Sequence, residues 1–418
     1  MPQLLLGLHL GAASLDAVAI DATGAVHARA TAAYETRSPQ PGWAEQRPDD
    51  WWRACCEAIA ALRAQVALRH VASIGLAGQM HASVFLDAEH EVIRPALLRD
   101  DGRAAAEAEE IEREVGAERL WRITGSRTSA AAAAPRLLWL RHNQAIAYKR
   151  LRHLLSPKDY LRLHLTGTLA TDLGDASATG LLDAAARAWS VEIADALEFD
   201  RAILPPVYEG PDVTGTLSAA VASELGLPPG IQVVAGAGDG QAAAVAAGAV
   251  TPGIALTSIG TSAALFVPLS AYEPEPAGRL DTMCHSVPGV WHHLGVFPTG
   301  ADDASSAAME GVAFSLRRAL DLGRAAGARV VEMRIIGGGS TSAAWHQLIA
   351  DVFETPAVPL DSDDGPAIGA ALLGAVGAGA FAFVQEAAAA CVRPAAPVEP
   401  RPEAAAAYRE QYERFRRE

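Results

Sequence analysis

The feature that most restricts the fold of this chain occurs twice: an apolar strand, a glycine turn and a second apolar strand. One copy runs from Leu4 to Ile20 around Gly11, and the other from Ile254 to Val267 around Gly260. Two similar hairpins at the starts of two halves predict a duplicated α/β unit with a cleft between the copies. At 418 residues the chain is too long for one ordinary core. Two domains are therefore expected, residues 1–244 and 245–418.

The densest chemistry lies just ahead of the second hairpin. An apolar run, Ile231 to Ala235, leads into Gly236-Ala237-Gly238-Asp239-Gly240 and then an Ala-rich stretch, Gln241 to Ala249. The pattern predicts a buried strand, a glycine turn and a helix start with an acid at the junction. Asp239 fits there as a helix N-cap or as a base for a hydroxyl, and the two roles are compatible. Downstream, Ser258-Ile259-Gly260-Thr261-Ser262 sits between two apolar runs. Its turn either offers N–H groups and hydroxyls to an anion or is a plain glycine hairpin. An acid together with a phosphate-holding turn is what phosphoryl transfer to an alcohol requires.

Charge and composition narrow the partners. A net charge of −15 argues against nucleic acid. The four cysteines lack metal-ligand spacing. No apolar run approaches the roughly 20 residues of a membrane span. Leu4 to Leu10 has no basic flank and is soon interrupted by His9 and Asp16, so it reads as a strand rather than a signal peptide. The cytoplasm is the expected compartment. Helices are expected at Asp49–Gln65, Ala104–Val115, Ala134–Arg150, Ser218–Leu225, Met309–Ala326 and around 367–379. Strands are expected at Val71–Ala77 and Arg329–Ile336.

Further segments follow in a specific order. They are Gly42-Trp-Ala-Glu-Gln-Arg-Pro-Asp-Asp-Trp-Trp52, Gly75-Leu-Ala-Gly-Gln-Met-His81 and Asp100-Asp101-Gly102-Arg103. Leu155-Ser-Pro-Lys-Asp-Tyr160 and Thr171-Asp-Leu-Gly-Asp-Ala-Ser177 come next, then Gly337-Gly-Gly-Ser340 with Trp345 and Gln347, and Asp364 to Ala371. With these in place the chain resembles the FGGY carbohydrate kinases, most closely their xylulokinase branch. The resemblance implies an actin/hexokinase-like (ribonuclease H-like) fold whose two domains close on ATP and Mg2+. It implies phosphorylation of D-xylulose or a related ketose at the primary hydroxyl, giving the 5-phosphate. Asp239 is then the expected base. Met80, His81, Asp101 and Asp239 would bind the sugar, and Gly260, Thr261, Ser262, Gly337, Gly338, Gly339 and Ser340 the nucleotide. Asp101 could accept from two adjacent sugar hydroxyls and His81 could donate or accept. Met80 fits a pocket wall or plain core equally. No nucleic-acid or membrane partner is expected, and a homodimer is left open.

The departures from that pattern matter as much. Family members begin Asp-x-Gly-Thr-Ser-x-x-Lys, whereas this chain has His9-Leu10-Gly11-Ala12-Ala13-Ser14-Leu15-Asp16. The metal-linked acid, the phosphate hydroxyl and the basic residue are all replaced. His9 suits a transition metal but is a poor ligand for magnesium. Several tens of residues are also missing between His292 and Glu310, so the second domain is shortened. Two readings of the hairpin stay open, a purely structural one and a rebuilt site. Three readings of the protein stay open with them: a working kinase, a sugar-binding relative with impaired transfer, and a nucleotide-binding protein of the same fold with a different acceptor. His292 and His293 read as a strand pair with a metal role as a minor alternative, and Arg409 to Arg416 as a solvated helix face.

Overall fold

The structure is a computed structural model that describes residues 3–260, 262–299, 306–360 and 365–417. The chain forms two compact units. The first holds the residues up to Ala246 with Cys284–Pro288 and Gly365–Cys391; the second holds the rest.

The first unit is built on a sheet whose strands run in the order Val213–Thr216, Gln232–Val234, Val71–Gly78, β1 (Leu4–Leu10), β2 (Ser14–Ile20) and β3 (Val26–Ala33). β1 to β3 form an antiparallel meander, and β1 pairs in parallel with Val71–Gly78. Alternation decides the faces. Leu4, Leu6, Leu8 and Leu10 enter one core with Trp51, Ile59 and Leu76. Gly7 and His9 take the other face, where Gly7 lies opposite Gly75 and His9 opposite Asp16 and Ala77.

That second face is covered by the helix Pro366–Gly377. A Cβ on Gly7 would collide with the carbonyl of Ala367, and one on Gly75 with that of Ala370, so only glycine admits so close an approach. Gly369 of the same helix meets Ala242 of the helix Asp239–Ala246 in the same way. The expected boundary at 244/245 lies close to the observed one after Ala246. The helix expected around 367–379, however, packs with the first unit and not the second, because its small residues fit the glycine-lined sheet. The expected helix Ala104–Val115 is also divided: Ala105–Ile111 is followed by a wider turn to Gly116, whose φ of +93° stops it, and then by Ala117–Thr124.

The second unit repeats the plan. Its strands run Asp281–Cys284, Trp291–Pro298, Ser262–Leu269, Gly253–Ile259, Val330–Ile336 and Ala357–Pro359. A hairpin again leads, and its first strand pairs in parallel with a later one. The helices Ser306–Ala325 and Ala343–Phe353 supply Leu316, Leu320 and Phe353 to a core with Leu265, Met333 and Ile335. The terminal helix Pro402–Phe415 docks through Tyr412, whose hydroxyl lies 2.9 Å from Asp321, while Arg409 and Arg416 pair with acids on an exposed face. Among the described residues no helix is long and apolar enough to cross a membrane.

Candidate functional site

In the first unit, candidate residues collect where β1 and Val71–Gly78 end. The turn from Gly11 to Ser14 is held by its carbonyls. The Tyr34 hydroxyl lies 2.6 Å from Gly11 O and 2.9 Å from Ser14 O. Tyr34 N donates to Ala13 O at 3.0 Å, and Gln46 Nε2 to Ala12 O at 2.7 Å. The N–H groups of Ala12 and Ala13 have no partner among the described residues. With its carbonyls tied inward, the turn leaves the N–H groups of the exposed Ala12 and Ala13 as a cradle able to accept an anion, even without a threonine hydroxyl.

His9 stands on the last turn of β1 beside that cradle. Its Nδ1 is 3.5 Å from Asp16 Oδ2, and Asp16 Oδ1 accepts from the Thr31 hydroxyl at 2.7 Å. The bond to His9, with that from Thr31, holds the Asp16 carboxyl below its ordinary range despite partial burial. His9 Nε2 is buried and meets no hydrogen-bond partner.

Asp239 opens the helix Asp239–Ala246, and its Oδ1 accepts from Gly240 N at 2.8 Å. Burial raises its carboxyl above the ordinary value, with His9 and Arg99 acting in the opposite direction. Met80 is close as well: a Cβ on Gly238 would sit 2.6 Å from Met80 Sδ. Gln79, next to Met80, donates its backbone N–H to Leu10 O at 2.8 Å and its Nε2 to Gln46 Oε1 at 2.9 Å. Gln46 thus ties the anion cradle to the strand end that carries Gln79, Met80 and His81. Its position within the Gly42–Trp52 segment was the only signal of that role in the sequence.

His81 has a left-handed backbone, φ +57°, fixed by Arg136, whose Nη1 donates to His81 O at 2.6 Å and to Leu97 O at 3.1 Å. Burial pushes its imidazole down to about 3, so it is neutral at physiological pH. Its Nδ1 has no hydrogen-bond partner, and the ring lines a small cavity with Ser156, Thr171, Asp175 and Thr179.

Asp101 does not match the role expected for it. Only 1% of it is exposed. Its Oδ1 accepts from Arg103 N (3.2 Å) and Nε (2.7 Å), and its Oδ2 from Arg103 Nη2 (2.6 Å) and Ala44 N (2.7 Å). A carboxylate has about four acceptor sites, so none is left for a pair of sugar hydroxyls. Arg103 in turn stacks on Trp43, 3.5 Å from the ring centroid. Asp101 is the anchor of the loop that presents Arg99 and Asp100, both exposed.

Beneath these strand ends lies a buried charge cluster from the two quoted acidic segments. Lys158 Nζ lies 2.6 Å from Asp159, 2.8 Å from Asp172 and 3.1 Å from Asp175, and Arg162 is 3.1 Å from Asp159. Arg162 also donates to Val234 O at 2.7 Å and to Ala235 O, holding the segment that leads to Asp239. The Ser156 hydroxyl is 2.6 Å from Asp159 Oδ2 and 2.8 Å from Asp175 Oδ2. A hydroxyl donates one proton, so one of these acids must carry the other. Burial and the neighbouring carboxylates push Asp175 up to about 7, whereas the adjacent cations hold Asp159 low.

In the second unit the residues expected to hold the nucleotide meet at one end of the sheet. Parallel pairing of Ser258 with Ile336 brings Gly337 to Gly339 against the Ile259–Gly260 turn. Gly337 has φ +77°, and a Cβ there would lie 2.7 Å from Ile259 O. Gly339 packs on the Ile259 side chain. Ser340 Oγ donates to Gly337 O at 2.7 Å, and Thr299 Oγ1 to Gly260 O at 3.0 Å. Gly260, Ser262, Gly337, Gly338, Gly339 and Ser340 are thus brought together, whereas Thr261 lies outside the described residues. His292 stacks on Phe266 and His293 lies 3.1 Å from the Thr282 hydroxyl, both inside the core.

These donors do not suit a magnesium ion held by the protein. Magnesium favours six oxygen ligands. Here the first hairpin presents an imidazole nitrogen, and Asp16 is engaged by His9 and Thr31. Among the described residues no three acidic, histidine or cysteine side chains are grouped to hold a metal.

Comparison with known proteins places this geometry. The family model described as the FGGY family of carbohydrate kinases, N-terminal domain, matches residues 4–246, and its C-terminal counterpart matches residues 279–378. The xylulose kinase of Klebsiella pneumoniae is 32% identical, over 89% of this chain and 90% of that protein. The xylulose kinase of Escherichia coli K12 is 31% identical over 90% of each. A crystal structure of a xyloylose kinase from Brucella ovis superposes with a TM-score of 0.92 at 32% identity, covering 99% of this chain and 98% of that one. That likeness extends to the two-domain α/β fold as a whole.

Proposed function

This chain belongs to the FGGY family of carbohydrate kinases, and from that premise we propose that it phosphorylates D-xylulose or a related ketose at the primary hydroxyl. Transfer from ATP to a sugar hydroxyl is the activity of a sugar kinase of this family. The ketose and the residue roles are the proposed part. The observation that carries them is Asp239: a carboxylate at a helix start, raised by burial, beside Met80 and the end of the strand that leads to His81.

In this reading Asp239 accepts the hydroxyl proton while the new oxygen–phosphorus bond forms and ADP departs. Its raised carboxyl makes it a stronger base than an ordinary aspartate. Met80 walls the sugar, and the neutral His81 ring offers a hydrogen bond to a hydroxyl. The N–H groups of Ala12 and Ala13 receive phosphate oxygens. In the second unit Gly260, Ser262 and Gly337 to Ser340 contact the nucleotide, with the glycines permitting close backbone approach. Magnesium, if used, arrives as part of the Mg-ATP substrate. A cytoplasmic location belongs to the same proposal, since free sugar and ATP meet there.

The test is ADP release with D-xylulose, other ketoses and no sugar, alongside calorimetric titration of the sugars. Turnover limited to ketoses, fastest with D-xylulose, is expected. Sugar binding without product at saturating metal-ATP would instead establish the impaired relative.

A further inference from the structure

We propose that Arg162 is a positioning residue for phosphoryl transfer: its buried guanidinium fixes the carbonyls of Val234 and Ala235 and, through them, the place of the Asp239 carboxylate. The proposal rests on the reading of Asp239 as the base and not on the identity of the sugar.

Three observations carry it. First, Arg162 is fully buried on the helix Pro157–Thr166, and its guanidinium is directed at the strand that leads to Asp239. Nη1 donates to Val234 O at 2.7 Å and to Thr214 Oγ1 at 2.6 Å. Nη2 donates to Ala235 O and is held by Asp159 Oδ1 at 3.1 Å. A planar guanidinium that grips two successive carbonyls fixes the direction of the chain as well as its position.

Second, there is little slack between those carbonyls and Asp239. Ala235 N donates to Asp212 O and Gly236 N to Gly210 O, both at 2.8 Å. Gly236 has φ +81°, and a Cβ there would lie 2.1 Å from Leu76 O. Ala237 and Gly238 pair with Ala77 and Gly78, and Asp239 follows at once as the first residue of its helix. A displacement at Ala235 is therefore passed along the backbone to the carboxylate.

Third, the same charge cluster reaches the helix that Asp239 opens. Lys158 Nζ lies 2.8 Å from Asp172, whose Oδ2 caps the helix Leu173–Ser177 through Gly174 N at 2.7 Å. The buried Gln241, two residues past Asp239, lies against Gly174, where a Cβ would come 3.2 Å from its carboxamide carbon. Asp239 is thus held from both sides by one buried ion network. Such a network adds little to stability over apolar residues of similar volume. Fixed direction is what a base needs, since a misplacement of about 1 Å can cost about 10²-fold in rate.

The experiment measures ADP release by the full chain with the ketose it turns over fastest. Rates are divided by the sugar-binding sites counted in calorimetry, so that unfolded protein does not enter. Arg162→Lys keeps the charge but grips one carbonyl instead of two. It is expected to lower kcat about 10–100-fold while sugar affinity changes by less than about threefold. The deciding measurement is the variant carrying both Arg162→Lys and Asp239→Asn. If Arg162 acts through the carboxylate, that double variant is as slow as Asp239→Asn alone. Should Arg162→Lys fail to fold, Thr214→Val, which removes one partner of the same guanidinium, replaces it in the cycle with a smaller loss of kcat expected. Losses that multiply in the double variant, an unchanged kcat, or a loss confined to sugar affinity overturns the inference alone. Asp239→Asn as fast as wild type, or no turnover of any ketose, refutes instead the reading on which it rests.

Discussion

Asp175→Asn isolates the proton that the buried cluster must hold. In the folded chain burial and neighbouring carboxylates push Asp175 up to about 7, against an ordinary value of 3.8. The folded state therefore binds a proton that the unfolded chain releases between these values. Stability from this group is complete below about 4 and lost as pH rises toward 7, because ∂ΔG/∂pH follows the protons bound by the unfolded minus the folded state. At about 1.4 kcal/mol per pH unit, the loss across that window is roughly 4 kcal/mol. Asparagine keeps the size and can donate to Ser156 Oγ, as the protonated acid does, without titrating. Other groups titrate in the same window, so the informative quantity is variant minus wild type. Urea melts at several values between pH 4 and pH 8 are expected to show the variant gaining relative stability by up to that amount as pH rises. A difference that stays flat with pH would mean that Asp175 is ionised throughout and that the one-proton argument at Ser156 is wrong.

Three other perturbations probe the site directly. Asp239→Asn keeps the helix start but not the base, so turnover is expected to fall about 10²–10⁴-fold with little change in sugar affinity measured by calorimetry; equal turnover would reduce Asp239 to a cap. Because the Asp239 carboxyl lies above its ordinary value, the wild-type kcat profile is expected to lose activity as pH falls at a pH above 3.8. Asp101→Ala removes one of two carboxylates from the buried Arg103, which keeps Glu45 at 2.8 Å, and leaves Ala44 N without its acceptor, a loss on the order of 1–3 kcal/mol in chemical melts; a variant of wild-type stability with only weakened sugar binding would return Asp101 to the sugar.

Much of this protein was legible from sequence because it rests on local patterns. Alternating apolar residues set β1 and β2, and the glycine turns and helix starts follow from short-range backbone preferences. They were enough to predict the repeated hairpin, the helix that begins at Asp239 and the strands that bring Gly260 and Gly337 to one sheet. Other outcomes depended on pairs of residues far apart in the chain. The helix Pro366–Gly377 joins the first unit because Gly7, Gly75 and Gly369 allow three backbones to meet, which no local pattern contains. Asp101 looked like a free acceptor until Arg103 and the distant Ala44 N filled its oxygens. Gln46, Arg136 and Arg162 gained their roles only where folding brought other backbones to their side chains. His9 was recognisable in sequence as a departure. That its Nδ1 faces Asp16 and its Nε2 faces no partner was decided by strand pairing, since register places side chains across a sheet and composition does not.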